Sequence, residues 1–150
     1  MRRRHLPIAI LLILFFAALP AGAQVRHEIA FPDLPGFVTL KCDFHMHSVF
    51  SDGTVWPTVR VEEAWRQGLD AIALTDHIEY QPRKADVPTK HNRPYELAAG
   101  GARQHDLLLP RGAEITRDTP PGHFNAIFLD DVAPLDTPDF VESVKQANQQ

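Results

Sequence analysis

Cysteine is almost absent from the sequence: Cys42 is the only one among 150 residues, so no disulfide bond can form within the chain. Basic residues are fewer than acidic ones: the chain has 15 Lys and Arg against 19 Asp and Glu, which gives a formal net charge of −4. Binding to a phosphate backbone needs a surplus of positive charge, so we expect no nucleic acid as a partner. Hydrophobic residues make up 44% of the chain, which excludes a disordered protein and, at this length, predicts one domain.

Residues 1–23 have the features of a secretory signal peptide. Three arginines at positions 2–4 precede an apolar run from Leu6 to Leu19, and small residues at 21–23 provide a predicted cleavage site before Gln24. The alternative is a transmembrane anchor, which needs about 20 apolar residues and is disfavoured by the shorter run. We therefore expect an exported protein, secreted or located in the bacterial periplasm, with no stable membrane anchor after cleavage.

The remaining sequence predicts an irregular lead-in followed by one α/β domain. Residues 24–36 contain Pro32, Pro35 and Gly36 and are expected to be irregular. Residues 37–150 alternate short apolar runs with helical patterns. The predicted strands are 38–44, 69–75, 107–115 and 123–129, and the predicted helices are 57–68, 94–105 and a last one capped by Thr137.

This alternation is typical of a parallel α/β sheet or a (β/α) barrel. A complete barrel needs about 250 residues, so we expect the chain to supply only the N-terminal half of one. Cys42 is expected in its core, because Cys42 and the neighbouring Asp43 point to opposite faces of the first strand.

Six residues that can bind a metal ion fall at or near the ends of predicted strands. His45 and His47 are two positions apart on the first strand, so their rings point to the same side. The other four are Asp52, His77, Glu114 and His123. All but His123 lie at or just after the C-terminal end of a strand, which is where parallel α/β folds form their sites. Imidazole and carboxylate ligands without thiolate suit Zn²⁺, Mn²⁺ or Fe.

Most of these residues also have an ordinary structural explanation when each is taken alone. A His-x-His pair arises by chance, Asp52 precedes a glycine as in many turns, and His77 follows a strand where an exposed turn is common. Glu114 is harder to explain, because a carboxylate within an apolar strand is costly to bury unless a positive group meets it. His123 begins its strand, so it joins the others only if a turn or an antiparallel strand returns it to the same edge.

Taken in order, these motifs resemble the PHP family, named for polymerase and histidinol phosphatase domains. The matching segments are Asp43-Phe44-His45-Met46-His47-Ser48, Ser51-Asp52-Gly53, Thr75-Asp76-His77, Gly112-Ala113-Glu114-Ile115 and the histidine at 123 that opens an apolar strand. The resemblance extends over residues 40–129 and implies a distorted seven-stranded, TIM-like barrel with up to three metal ions. An export signal and a long polar loop at 78–93 favour the secreted phosphodiesterase-like branch of the family.

The resemblance also implies which residues bind each ion. His45, His47 and Glu114 would hold the first metal, and Glu114 would bridge to a second that His123 also holds. Asp52 and His77 would hold a third. Further ligands in the family come from later strands, which this sequence does not include. Glu114, His45 and His47 would therefore serve catalysis as ligands of the metal that activates water.

Three other residues are candidates for supporting roles. Asp43 and Asp76 flank ligand histidines and are expected either to orient their rings or to form hydrogen bonds within strand-end turns. Arg117 follows Glu114 by three residues and is a candidate to bind a substrate phosphate oxygen, the alternative being a solvated loop charge.

The leading hypothesis is a hydrolase that uses two or three divalent ions, Zn²⁺ or Mn²⁺ with Fe as a further option. Its metal-activated water would cleave a small phosphomonoester or phosphodiester. One alternative is an amidohydrolase-type metal hydrolase, which also begins with His-x-His on the first barrel strand but usually places a lysine at a later strand end. The other is an inactive fragment of a PHP phosphoesterase, since half a barrel leaves an open sheet edge.

Overall fold

The computed structural model describes residues 25–88 and 90–150, which contain four strands and three α-helices. The strands are β1 (Cys42–Met46), β2 (Ala71–Leu74), β3 (Gly112–Thr116) and β4 (His123–Ile127). The helices are α1 (Pro57–Arg66), α2 (Arg93–Gln104) and α3 (Phe140–Asn148), with a short 3-10 helix at Ala133–Leu135. The signal peptide predicted for residues 1–23 lies outside the described residues. Among the helices of the described ranges, none combines the length and hydrophobicity needed to span a bilayer.

The strands form a mixed arrangement in which β1 and β2 are parallel and β3 and β4 are antiparallel. Two single parallel bridges connect the pairs, one between Ala71 and Leu108 and one between His77 and Glu114. The segment after β2 therefore runs beside β3, and the C-terminal ends of the first three strands lie at the same edge. The predicted α/β class is confirmed, whereas the barrel stays a prediction.

The direction of β4 corrects the expectation of a wholly parallel sheet. Only residues 117–122 separate β4 from β3. A parallel neighbour needs a crossover of a dozen or more residues, while so short a connection returns the chain antiparallel. The register pairs Thr116 with His123, so the beginning of β4 lies beside the end of β3.

All four strands are shorter than predicted, and the differences at β1 and β3 are the most informative. β1 begins at Cys42, where β2 begins to run beside it, while Val38 before it is exposed. In the predicted third strand, residues before Gly112 make only the single bridge at Leu108. Pro110 explains this interruption, because proline has no N–H to donate to a neighbouring strand.

Two further sequence expectations differ from the structure. Cys42 is exposed rather than buried: the register of β1 is irregular between Asp43 and Met46, and it is Met46 that packs against the core. The last helix is capped by Asp139 instead of Thr137. The Asp139 carboxylate accepts hydrogen bonds from the backbone N–H groups of Val141 at 2.9 Å and Glu142 at 3.3 Å, which satisfies two donors at the helix N-terminus.

Two hydrophobic clusters hold the elements together. The first joins α1, β2 and α2 through Val61, Ala64, Ile72, Leu74, Ala98, Ala102 and Leu107. The second joins β3, β4 and the 3-10 helix, with α3 packed against it, through Ile78, Ala113, Ile115, Ala126, Leu129, Val132 and Leu135. Each fully buried aliphatic side chain contributes about 1.5–3 kcal/mol, so the clusters fix the strands whose ends carry the polar residues.

Thr75, directly after β2, is fully buried, and its hydroxyl oxygen has no hydrogen-bond partner among the described residues. We expect Thr75→Val to leave the free energy of unfolding unchanged or to raise it, because an unpaired buried hydroxyl costs about 1–3 kcal/mol. Urea denaturation followed by circular dichroism measures the change.

The control is Ser143→Ala, since the buried Ser143 hydroxyl donates to the Leu135 carbonyl at 3.0 Å and accepts from Arg117 at 3.2 Å. Losing this paired hydroxyl should lower the free energy of unfolding by about 1 kcal/mol. A larger loss for Thr75→Val than for Ser143→Ala would contradict the prediction.

Candidate metal centre

All six residues predicted as metal ligands lie together at the C-terminal edge of β1, β2 and β3. His45 is in β1, and His47 and Asp52 follow it, while His77 follows β2. Glu114 is the central residue of β3, and His123 begins β4. Because β4 is antiparallel, the start of that strand reaches this edge, which is the arrangement His123 required.

Glu114 is the centre of the cluster and is only 2% exposed. Its Oε2 atom lies 3.0 Å from the Nε2 atoms of both His45 and His47. The same oxygen is 3.6 Å from Nδ1 of His77, while Oε1 is 2.5 Å from Nδ1 of His123. Four imidazole rings from three other segments therefore surround one buried carboxylate.

The donor atoms form three overlapping groups, each with its atoms within 4.8 Å of one another. The groups are His45, His47 and Glu114; His47, Asp52 and His77; and His77, Glu114 and His123. In the first group the two Nε2 atoms are 3.1 Å apart and each is 3.0 Å from the carboxylate oxygen. Ligands bound about 2.0–2.2 Å from one cation are separated by roughly this distance, so both donor chemistry and spacing fit a divalent metal ion.

The ionisation states of the cluster also suit a cation. Burial acts to raise the pKa of Glu114, but hydrogen bonds from His45 and His123 and the nearby charge of His77 and His47 outweigh it and hold this pKa below its ordinary value. Burial is the main cause of the lowered pKa of His77. The carboxylate is therefore ionised and the ring of His77 neutral near neutral pH, which are the forms that bind metal ions.

Asp52 is held near the cluster by two imidazoles. Its Oδ1 atom is 2.8 Å from Nδ1 of His47, and its Oδ2 atom is 3.6 Å from Nε2 of His77. Burial acts to raise the pKa of Asp52, but the hydrogen bond with His47 and the charges of His47 and His77 lower it overall. Asp52 is thus a second carboxylate ligand candidate that is ionised at neutral pH.

Asp76 fixes the loop that carries Asp52. Its carboxylate is 8% exposed and accepts hydrogen bonds from the backbone N–H of Ser48 at 2.7 Å and from the hydroxyls of Ser48 and Ser51 at 2.6 Å each. The carboxylate of Asp43 accepts from the backbone N–H of His45 at 3.0 Å. Of the two roles expected for these aspartates, the structure shows hydrogen bonding to strand-end main chain and hydroxyls, and within residues 25–88 and 90–150 neither carboxylate is seen bonded to an imidazole ring.

Arg117 is neither a solvated loop charge nor a free phosphate clamp. Its guanidinium forms an ion pair with Glu79 and donates to the carbonyl of Thr137 at 2.7 Å and to the hydroxyl of Ser143 at 3.2 Å. These contacts leave the side chain 15% exposed and anchor α3 to the end of β3. The substrate-binding role expected for Arg117 is therefore not favoured, because contacts within the protein already occupy both terminal nitrogens.

Sequence reasoning missed Glu79 and Thr116. The backbone N–H of Thr116 donates to Glu79 at 2.7 Å, and the hydroxyl of Thr116 lies 2.5 Å from Nδ1 of His77. Glu79 has no motif signal. Thr116 could have been found, because it is two positions after Glu114 and alternation along β3 places both side chains on one face.

Gly53 allows the loop of Asp52 to pack tightly against the end of β1. A Cβ atom at Gly53 would lie 2.5 Å from the carbonyl carbon and oxygen of His47 and 2.6 Å from the backbone nitrogen of Ser48. These are main-chain atoms between two strand-end residues, so they cannot move aside without shifting His47.

We expect Gly53→Ala to lower the free energy of unfolding by about 1–3 kcal/mol, because overpacking against main chain forces backbone shifts. The matched control is Gly100→Ala in α2, where a Cβ atom meets nothing within 4 Å. Alanine at this helical position should raise the free energy of unfolding by about 0.5–1 kcal/mol. Urea denaturation of the two variants checks both signs, and equal effects at the two positions would refute the close-approach argument.

Comparison with known proteins places this geometry in a family. The family model for the PHP domain matches residues 43–149. A solved two-domain protein from Bacteroides vulgatus, containing a predicted PHP-like metal-dependent phosphoesterase, is 60% identical with a TM-score of 0.84 and is matched over 86% of this chain and 38% of its own. A Bifidobacterium adolescentis protein, provisionally named a metal-dependent phosphoesterase, is 27% identical with a TM-score of 0.51, over 69% of this chain and 33% of its own.

Two other similarities are more limited. An amidohydrolase structure from Chromobacterium violaceum, with bound sulfate and no metal, is 21% identical with a TM-score of 0.51 and shares the fold. A 5'-3' exoribonuclease of Haemophilus influenzae is 48% identical over 40 residues, which are 27% of this chain and 15% of that protein. The chain thus spans well under half the length of each of these proteins.

Proposed function

Because the chain belongs to the PHP domain family, we propose that it is a metal-dependent hydrolase that cleaves phosphoester bonds at the cluster around Glu114. The observation that carries the proposal is a carboxylate that is 2% exposed and contacts four imidazole rings. Such a group of acceptors and ring nitrogens is the ligand chemistry of Zn²⁺ and Mn²⁺.

The residues divide naturally between more than one cation. His45, His47 and Glu114 would hold one ion through atoms that are 3.0–3.1 Å apart. Asp52 and His77 would contribute to another. His123 would serve an ion near Oε1 of Glu114, since that oxygen contacts His123 while Oε2 contacts His45 and His47. Two or three divalent ions are the expected content.

Bound cations would polarise the phosphoryl oxygens and lower the pKa of a water molecule that attacks phosphorus. The residues of the chain would provide the setting for this chemistry. Glu114 supplies negative charge from within the protein, where water competes least. The paired serines and Asp76 hold the loop of Asp52 in place, so the ligands keep their positions when substrate enters.

A cleft beside His123 is consistent in size with the proposal that the substrate is a small molecule. It has a volume of about 390 Å³, and its lining includes Tyr80, Thr116, Arg117 and His123. This size is in the range of clefts that bind small molecules. Export to the periplasm or outside the cell belongs to the proposal as well, on the strength of the signal-peptide features of residues 1–23.

We expect the metal-free protein to bind Mn²⁺ and Zn²⁺, and Glu114→Gln to weaken binding by more than 100-fold. Losing a residue that merely orients a ligand costs about 10–100-fold, and Glu114 is expected to be a ligand itself. Isothermal titration calorimetry after dialysis against a chelator measures affinity and stoichiometry. His27→Asn serves as control, because His27 is exposed and outside the cluster. Equal affinity of Glu114→Gln and the unchanged protein would contradict the assignment.

We expect the metal-loaded protein to hydrolyse p-nitrophenyl phosphate or bis(p-nitrophenyl) phosphate, and chelation to abolish the activity reversibly. Release of p-nitrophenolate measures the rate. A cyclic amide is the comparison substrate, since an amidohydrolase would cleave it instead. Cleavage of the amide without cleavage of either ester would refute the phosphoester proposal.

A further inference from the structure

We propose that the Thr116 hydroxyl is a positioning group for His77. By accepting a hydrogen bond from Nδ1–H, it leaves Nε2, on the Asp52 side of the cluster, as the atom through which the ring binds metal. The inference rests on the proposed function, because it assumes that His77 is a metal ligand. It adds a residue that none of the ligand motifs contains and gives a physical reason for the proposed assignment of His77 to the ion beside Asp52.

The contact is short and well supported by its surroundings. Oγ1 of Thr116 lies 2.5 Å from Nδ1 of His77, whose side chain is 7% exposed. The backbone of Thr116 is fixed on both sides of this hydroxyl. Its N–H donates to Glu79 at 2.7 Å, and its position in the sheet is set by pairing with His123. A main chain fixed in this way keeps the hydroxyl of Thr116 beside Nδ1 of His77.

His77 belongs to two donor groups that use opposite sides of its ring. Nε2 lies 3.6 Å from Oδ2 of Asp52, and Nδ1 lies 3.6 Å from Oε2 of Glu114. A neutral imidazole has one N–H and one nitrogen lone pair, so it binds a metal ion through only one of these atoms. The group made with Asp52 and the group made with Glu114 and His123 therefore compete for His77.

The Thr116 hydroxyl resolves this competition. Metal-binding histidines usually donate their other ring N–H to an oxygen, which fixes both the tautomer and the ring orientation. When the hydroxyl accepts from Nδ1–H, the lone pair is on Nε2, which faces Asp52. The ion near Glu114 and His123 is then held without His77, whose contribution goes to the ion beside Asp52.

His47 shows the same principle with a different partner. Its Nδ1 atom is 2.8 Å from Oδ1 of Asp52, and its Nε2 atom is 3.0 Å from Oε2 of Glu114. A hydrogen bond from Nδ1–H to Asp52 leaves Nε2 for the ion shared with His45. Both rings would thus bind through Nε2, each oriented by an oxygen at Nδ1.

The test compares Thr116→Val, which keeps the shape of the side chain but removes the hydroxyl, with Thr116→Ser, which keeps the hydroxyl. Calorimetric titration with Zn²⁺ should show one class of site weakened by about 10–100-fold in Thr116→Val and restored in Thr116→Ser. Thr58→Val, at an exposed position of α1, controls for the exchange itself and should bind zinc like the unchanged protein.

A second measurement does not depend on how the variants fold. Long-range ¹H–¹⁵N correlation spectra of the unchanged, zinc-loaded protein report the tautomer of each histidine. We expect His77 with hydrogen on Nδ1 and zinc on Nε2. Hydrogen on Nε2, or zinc affinity in Thr116→Val equal to that of the unchanged protein, would overturn the inference while leaving metal binding intact. An unchanged protein that takes up no zinc would instead refute the proposed function, and this inference with it.

Discussion

A buried carboxylate in an apolar strand is the constraint on which the rest of this structure depends. Glu114 is 2% exposed, and a bare charge in that position would destabilise the fold strongly. The surrounding imidazoles reduce the cost by hydrogen bonding, and a divalent cation would remove most of the remainder. Because a cation binds this arrangement only when the chain is folded, its binding energy would add directly to the stability of the protein.

A small number of hydrogen bonds brings the other residues of the cluster to Glu114. The backbone of Glu114 donates to the carbonyl of Asp76 at 3.1 Å and accepts from Ile78 at 3.0 Å, which places His77 directly beside it. The side chain of Asp76 then holds Ser48 and Ser51, on either side of the turn that leads to Asp52. The dipeptide Asp76-His77, which follows β2, therefore connects the ends of β1 and β3. The carboxylate of Asp76 contacts the segment after β1, and the ring of His77 contacts β3.

The sequence predicted which residues cluster better than it predicted the contacts that support the cluster, and the reason is physical. Metal ions accept few side-chain types, so histidines and carboxylates near the ends of apolar runs, such as His45 and Glu114, can be recognised without coordinates. The position of His123 followed once the short connection at 117–122 fixed the direction of β4. The α/β class could be predicted for the same reason, since apolar runs alternated with helical faces.

The supporting contacts could not be predicted because they join segments that are distant in sequence and have no required residue type. Glu79 meets Arg117 only after β3 has been placed beside the segment that follows β2. From the sequence alone, the carboxylate of Asp76 could have formed hydrogen bonds within its own strand-end turn. Its bonds to Ser48 and Ser51 form only because the fold brings the end of β1 beside it. The same holds for the exposed Cys42, because simple alternation along β1 does not anticipate the irregular register between Asp43 and Met46.

Because the donor groups share residues, the hydrogen bonds that orient those residues matter for metal binding as much as the proposed ligands do. His47, His77 and Glu114 each belong to two of the three groups, so a rotation of one ring or carboxylate would change the donors available to two of the proposed cations at once. Groups that share members in this way are expected to be energetically coupled. The ring of His47 is oriented by the carboxylate of Asp52, a member of a donor group, whereas the ring of His77 contacts the hydroxyl of Thr116, which belongs to none of the three groups. Metal affinity in such a cluster depends in part on hydrogen bonds to the ligands from residues that do not themselves bind the ion, so the ligand motif alone does not determine it.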